Sequence, residues 1–193
     1  MRLTTKQRIL HEERVLRTRL IRKRRRWNRR SKLKSGGRKI FTKKKKVHTP
    51  IMYKNVYGSN LRPCSQDGTA LTGFTRNGKC VNKIEDQGSH HVCIDISSTS
   101  GGNFCTVTGQ PNWCEEKKPC HNNRDKTCPI KQWCVCEWAF ASYIEHAGGC
   151  DKIAEVDCHA TNHNVLKHYY DKQNKNKKIQ KALACLKSKC NLK

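Results

Sequence analysis

The chain has 193 residues, a formal net charge of +26 at pH 7, 35% apolar residues and thirteen cysteines. No run approaches the ~20 apolar residues of a membrane span, and Met1–Trp27 lacks the uninterrupted apolar core of a secretory leader, so neither is expected. The charge is uneven: residues 1–54 hold 22 of the 41 Lys and Arg against two acids, Glu12 and Glu13, while every cysteine lies between Cys64 and Cys190. The pattern predicts a basic, cysteine-free arm over 1–54, a cysteine-rich domain over 55–170 and a helical extension over 171–193. An arm so charged repels itself unless an acidic or anionic surface neutralises it, which points to a larger assembly.

Thr4 or Thr5 is expected to cap a helix running to about Arg30. Ile9, Leu16, Leu20 and Trp27 fall on one stripe of it, widened by Leu10, Val15 and Ile21; Arg8, Arg14, Arg22, Arg25 and Arg29 take the other face. A freely solvated helix is one reading. A helix docked by its stripe, with arginines on phosphate or carboxylate, is the preferred one, because this much like charge would not hold a helix alone. The Arg-rich start also raises a mitochondrial presequence, against which Glu12-Glu13 and the dense Arg run count. Ser35-Gly36-Gly37 breaks the helix, and Lys43, Lys44, Lys45 and Lys46 open an extended tract that ends near Pro50. Such a tract is disordered or threads along an anionic surface; it also matches a nuclear localisation run, a weakly specific signal.

The expected fold class is α+β: a small disulfide-rich domain with short strands and a few helices behind the arm. Val92-Cys93-Ile94-Asp95-Ile96 alternates like a strand. Residues 111–130 are expected to form a loop held by Cys114, Cys120 and Cys128. A helix is predicted over Gln132–Ala147, ended by Gly148-Gly149, a second from a Thr161 cap to about Tyr170, and a third over about Lys178–Lys189 with Ile179, Ala182, Leu183 and Leu186 on one face. Trp113, Trp133, Trp138, Phe74, Phe104 and Phe140 are the aromatic material for a core.

Several short pieces occur in order: Asn55-Val-Tyr-Gly58, Pro63-Cys64-Ser65, Leu71-Thr-Gly-Phe74, Arg76-Asn-Gly-Lys-Cys80, Glu85-Asp-Gln-Gly-Ser-His90, Val92-Cys93 and Trp133-Cys-Val-Cys136. Across 55–99 and 131–138 the chain resembles a family of small, uncharacterised cysteine-containing proteins widespread in bacteria and present in some eukaryotes. That resemblance implies no activity and supplies no catalytic residues. The arm, the Cys105–Cys128 region and the tail after Tyr170 depart from it. Over 133–190, Trp133-Cys-Val-Cys-Glu-Trp-Ala-Phe-Ala141, Gly148-Gly-Cys150, Asp157-Cys158-His-Ala-Thr-Asn162 and Cys185…Cys190 are similar to cysteine-rich proteins of large nucleocytoplasmic DNA viruses. The viral resemblance implies cytoplasmic assembly with a dedicated sulfhydryl oxidase, so disulfides form without a leader.

The cysteines Cys64, Cys80, Cys93, Cys105, Cys114, Cys120, Cys128, Cys134, Cys136, Cys150, Cys158, Cys185 and Cys190 are read as structural. Disulfides are preferred over zinc, because zinc sites pair cysteines two to four residues apart, twice, and these spacings match poorly. Thirteen is odd, so at least one thiol is free, metal-bound or paired between chains. Cys134-Val-Cys136 allows a redox pair or half a zinc site; two separate disulfides is the plainer reading. Cys150 and Cys158, with Cys185 and Cys190, suit stapling of the C-terminal extension, but connectivity is left open. Gly88-Ser-His-His-Val-Cys93, after Glu85 and Asp86, places a thiol, imidazoles and a hydroxyl close together, yet sequence adjacency is not active-site geometry. No catalytic residue and no resident cofactor are expected, with zinc the alternative. The function expected is a virion structural protein, a minor capsid component whose partners are capsid proteins and, through the arm, nucleic acid or an acidic surface. The competing expectation is a ribosomal or mitoribosomal accessory protein whose arm binds RNA.

Overall fold

The computed structural model describes residues 52–97 and 101–193. The expected arm helix and lysine tract, with Arg8, Arg14, Arg22, Arg25, Trp27, Arg29 and Lys43–Lys46, lie outside the described residues. Those described fall in a unit spanning Thr49–Lys193.

Strand β1, Val92–Asp95, is nearly all buried and pairs antiparallel with β4, Gln132–Val135. The register sets Val92 opposite Val135 and Cys93 opposite Cys134. On its other edge, β1 meets the Ile153–Val156 run through an Ile94–Val156 bridge, backed by Asp95 N–H donating to the Glu155 carbonyl at 2.9 Å. A second ribbon pairs β2, Lys117–Pro119, with β3, Thr127–Pro129. Its turn is organised by Asn123, whose side-chain oxygen accepts from Asp125 N–H at 3.0 Å. Residues 52–90 are largely turns.

Four α-helices are present among the described residues. The first, α1, Phe104–Thr108, is capped by Asn103, which accepts from Thr106 N–H at 2.9 Å, and ends at Gly109 with φ 69°. Helix α2, Glu137–His146, begins directly after β4, because Cys136 is still extended at φ −60° and ψ 140°. Helix α3 is Asn164–Lys172 and α4 is Lys177–Lys189. Asn176 caps α4 by accepting from Lys178 and Ile179 N–H. The four apolar residues Ile179, Ala182, Leu183 and Leu186 recur at the helical period and all are buried.

The core lies between β1 and the helices: Ile94, Ile96, Phe104, Phe140, Tyr143, Val165, Tyr169 and α4's stripe are all at most 5% exposed. Phe104 meets Tyr143 edge-on with ring centroids 5.0 Å apart. At the rim of α2, Lys178 pairs with Glu145 at 2.6 Å and holds that carboxyl below its usual range.

The expected α+β, disulfide-rich class is what the chain forms. Four local expectations need correction. The helix predicted over Gln132–Ala147 is a strand followed by a shorter helix, because Gln132–Val135 is claimed by pairing with β1. The loop predicted over 111–130 contains a 3-10 turn, Trp113–Glu115, and the β2–β3 ribbon. Thr161 does not cap α3; its hydroxyl donates to the Asp157 carbonyl and accepts from Cys93 N–H, so it ties that turn to β1. Phe74 and Trp138 are each 44% exposed and build no core, while Trp113 and Trp133 are half-buried and meet at its edge with tilted rings 5.8 Å apart.

Candidate functional site

Six disulfides close: Cys64–Cys93, Cys80–Cys134, Cys105–Cys114, Cys120–Cys128, Cys150–Cys185 and Cys158–Cys190. Cys93 and Cys134 face each other across the β1–β4 ladder, so each strand is bridged to a different turn of the 52–90 segment. The sulfurs of Cys64, Cys80 and Cys93 crowd within 4.8 Å, but bridged sulfurs are poor metal ligands and this cluster is covalently satisfied. Two bridges fasten α4, one from Cys185 inside the helix and one from Cys190 at its C-terminal cap.

Cys136 stands outside this frame. It was expected among the structural cysteines, yet it is free and half-buried. Its neighbour Cys134 points from the strand toward Cys80, whereas Cys136 is the turn residue that launches α2. The Cys134-Val-Cys136 pair is therefore split and forms no dithiol couple. Cys93 is bridged as well, which leaves the Gly88–Cys93 segment without a free thiol.

That segment instead delivers an imidazole. Ser89, in a left-handed conformation with φ 49°, offers its carbonyl to both His91 N–H at 2.8 Å and Glu137 N–H at 3.3 Å. The side chains then meet as well: His91 Nδ1 lies 2.7 Å from Glu137 Oε1. From α3, His168 Nδ1 approaches the same carboxylate at 2.9 Å and 3.0 Å from its two oxygens. The imidazoles are 5.6 Å apart between centroids. Glu137 is 2% exposed and His91 fully buried. Donating both Nδ1 hydrogens satisfies the carboxylate, but it leaves His91 Nε2 sealed with no hydrogen-bond partner. An orphan of that kind costs about 1–3 kcal/mol. A similar pair nearby, His90 Nδ1 with the buried Asp86 at 2.6 Å, has its imidazole partly exposed.

Tyr169, one residue past His168, donates its phenol to the Glu137 carbonyl at 2.7 Å. Burial, then the Glu137 and Cys136 charges, pushes this phenol well above its ordinary 10.0. Ionising Tyr169 thus costs more in the fold than in the unfolded chain. Its contribution to stability is intact below pH 10.0 and falls as the pH rises beyond it. Tyr169→Phe is expected to cost about 1 kcal/mol at neutral pH through the lost hydrogen bond. It should also shallow the alkaline decline, as read by urea midpoints measured on either side of pH 10.0.

Neither Glu137 nor His168 stands out in the sequence as a site residue. A usable signal exists for the first. Glu137 precedes Phe140, Ala141 and Ile144 at helical spacing, so it is a charged residue on a buried stripe. His168 carries no such mark.

Residues 54–177, about two thirds of the chain, match the model of the family described as "Uncharacterized protein conserved in bacteria (DUF2237)". The chain belongs to this family. The DUF2237 match takes in His91, Glu137, His168 and ten of the twelve bridged cysteines, and it stops at the first residue of α4. Cys185 and Cys190, beyond it, make their bridges back to Cys150 and Cys158 within it. No curated protein matches the chain.

Proposed function

We propose that this protein is a structural component of a large DNA virus particle, a minor capsid protein whose stapled domain is held among its neighbours by the basic arm. The observation that carries the reading is the cysteine bookkeeping: twelve of thirteen are bridged, across every part of the described fold. A domain fastened this thoroughly suits a particle that must survive outside a reducing cell. The net +20 of residues 1–54 supplies the grip on acidic subunit surfaces or on an anionic interior. A groove of about 350 Å³ on the domain adds to it, bringing Arg76, Lys118 and Arg124 beside Trp133. Arg76 lies 5.0 Å over the Trp133 ring, although Lys118 is partly occupied by Glu116. The likeness of residues 133–190 to cysteine-rich viral proteins gives this structural role its particular setting.

Protein taken from its native particle should show six intact bridges in non-reducing mass spectrometry. The arm should crosslink to protein neighbours and hold through a molar salt wash. Fully reduced cysteines, or crosslinks from Arg22–Arg30 to RNA that release steeply with salt, would replace this reading by a ribosomal one.

A further inference from the structure

We propose that His91, Glu137 and His168 bind one divalent transition-metal ion, zinc by preference, which clamps α2 and α3 to the turn ahead of β1. The donors come from three separate elements, and one donor atom of each lies within 4.8 Å of the other two. Both Nδ1 atoms already approach a single oxygen, Oε1 of Glu137, at 2.7 Å and 2.9 Å. A tetrahedral zinc ion with bonds of about 2.0–2.1 Å keeps its ligands about 3.3 Å apart. The ion therefore takes the place of the shared hydrogens after the donors spread by a few tenths of an ångström.

Charge favours the ion. Among the described residues no Lys or Arg pairs with Glu137; its ion-pair partners are His91 and His168 alone. As neutral rings the two imidazoles would give this buried carboxylate hydrogen bonds and no positive charge. A dication supplies the charge directly. The donor set selects among dications, since two imidazoles and one carboxylate suit zinc and its neighbours, whereas calcium and magnesium require many more oxygens. Access comes from α3: the His168 side chain is 31% exposed, which gives the ion a route in and a water a fourth position.

The competing explanation is a metal-free network in which both imidazoles donate to Glu137. His91 Nε2 is unpartnered in either state, lacking a donor in the network and an acceptor around an ion. Coordination at Nδ1 moves the ring proton to Nε2, where no acceptor waits. Metal-bound histidines normally hand that proton to an acceptor, and losing such a partner weakens a site by about 10–100-fold. The expected site is accordingly selective but weaker than a fully supported structural zinc centre.

The test uses the full chain with its bridges intact, stripped by chelator and titrated with Zn²⁺ and Co²⁺. The formal charge of +26 suppresses casual cation binding, and Cys136 is the single free thiol among the described residues. One equivalent should bind, with visible cobalt d–d bands and no thiolate charge-transfer band. Glu137→Gln and the partly exposed His168→Asn should each weaken binding at least about 100-fold, beyond what outer partners usually contribute. Cys136→Ser should bind as tightly as the parent. Near-ultraviolet dichroism and bridge mapping establish that each variant is folded. His168→Asn keeps the test decisive if Glu137→Gln is misfolded. Absence of a stoichiometric ion in the folded parent, equal affinity in parent and His168→Asn, or loss of binding in Cys136→Ser would each overturn the site.

Discussion

The double variant Cys80→Ala/Cys134→Ala is expected to lose about 4 kcal/mol of folding stability, the largest effect of removing any one bridge. Its two cysteines are 54 residues apart in sequence, against 8 for Cys120–Cys128. Loop-closure entropy in the unfolded chain grows with the logarithm of that span and gives about 2.5 kcal/mol for the short bridge. The sites differ in burial too: Cys80 and Cys134 are at most 1% exposed, so the alanines also leave unfilled space. Denaturant unfolding of both double variants reads the difference directly. Equal losses would show that chain entropy is not what these bridges supply. A loss of this size is a large share of the 5–15 kcal/mol typical of a domain, so the variant should be marginal at physiological temperature.

Glu137→Ala is expected to cost about 3 kcal/mol, an unusual penalty for a helix's first residue. The substitution strips two imidazole donors of their acceptor, and His91 is fully buried, away from bulk solvent. It also removes a negative charge from the first turn of α2, where the helix dipole favours one. Glu145, on the same helix, offers the contrast. It is exposed and paired with Lys178, and Glu145→Ala should leave the denaturation midpoint unmoved within error. A small effect at Glu137 would mean that the histidines find other partners, and the buried network would lose its structural importance.

What could be read beforehand follows physical range. The β1 alternation and the α4 stripe depend on neighbours a few residues away, and both elements form where the residue pattern places them. Gln132–Val135 defeats a local reading: its residues suit a helix as an extension of α2 until β1 claims them. Trp138 follows Glu137 on the same helix yet faces outward, with Lys172 4.9 Å over its ring. Hydrophobicity alone assigns no direction to a side chain. The bridges were legible as a class but not as pairs, because Cys64 finds Cys93 only once the fold brings their turns together. The His91–Glu137–His168 cluster is the extreme case, its first two members 46 positions apart in sequence and its last two 31.

The paired fastening of α4 has a mechanical consequence. Tension applied at the C-terminus passes from Cys190 through its bridge to Cys158, beside the run that lies against β1. Pulling therefore bypasses most of the helix, and only Asn191–Lys193 lie beyond the last covalent link. The last helix cannot be peeled away turn by turn, because once the hydrogen bonds from Asn191 and Leu192 to its last carbonyls give way, covalent bonds carry the load into the middle of the fold.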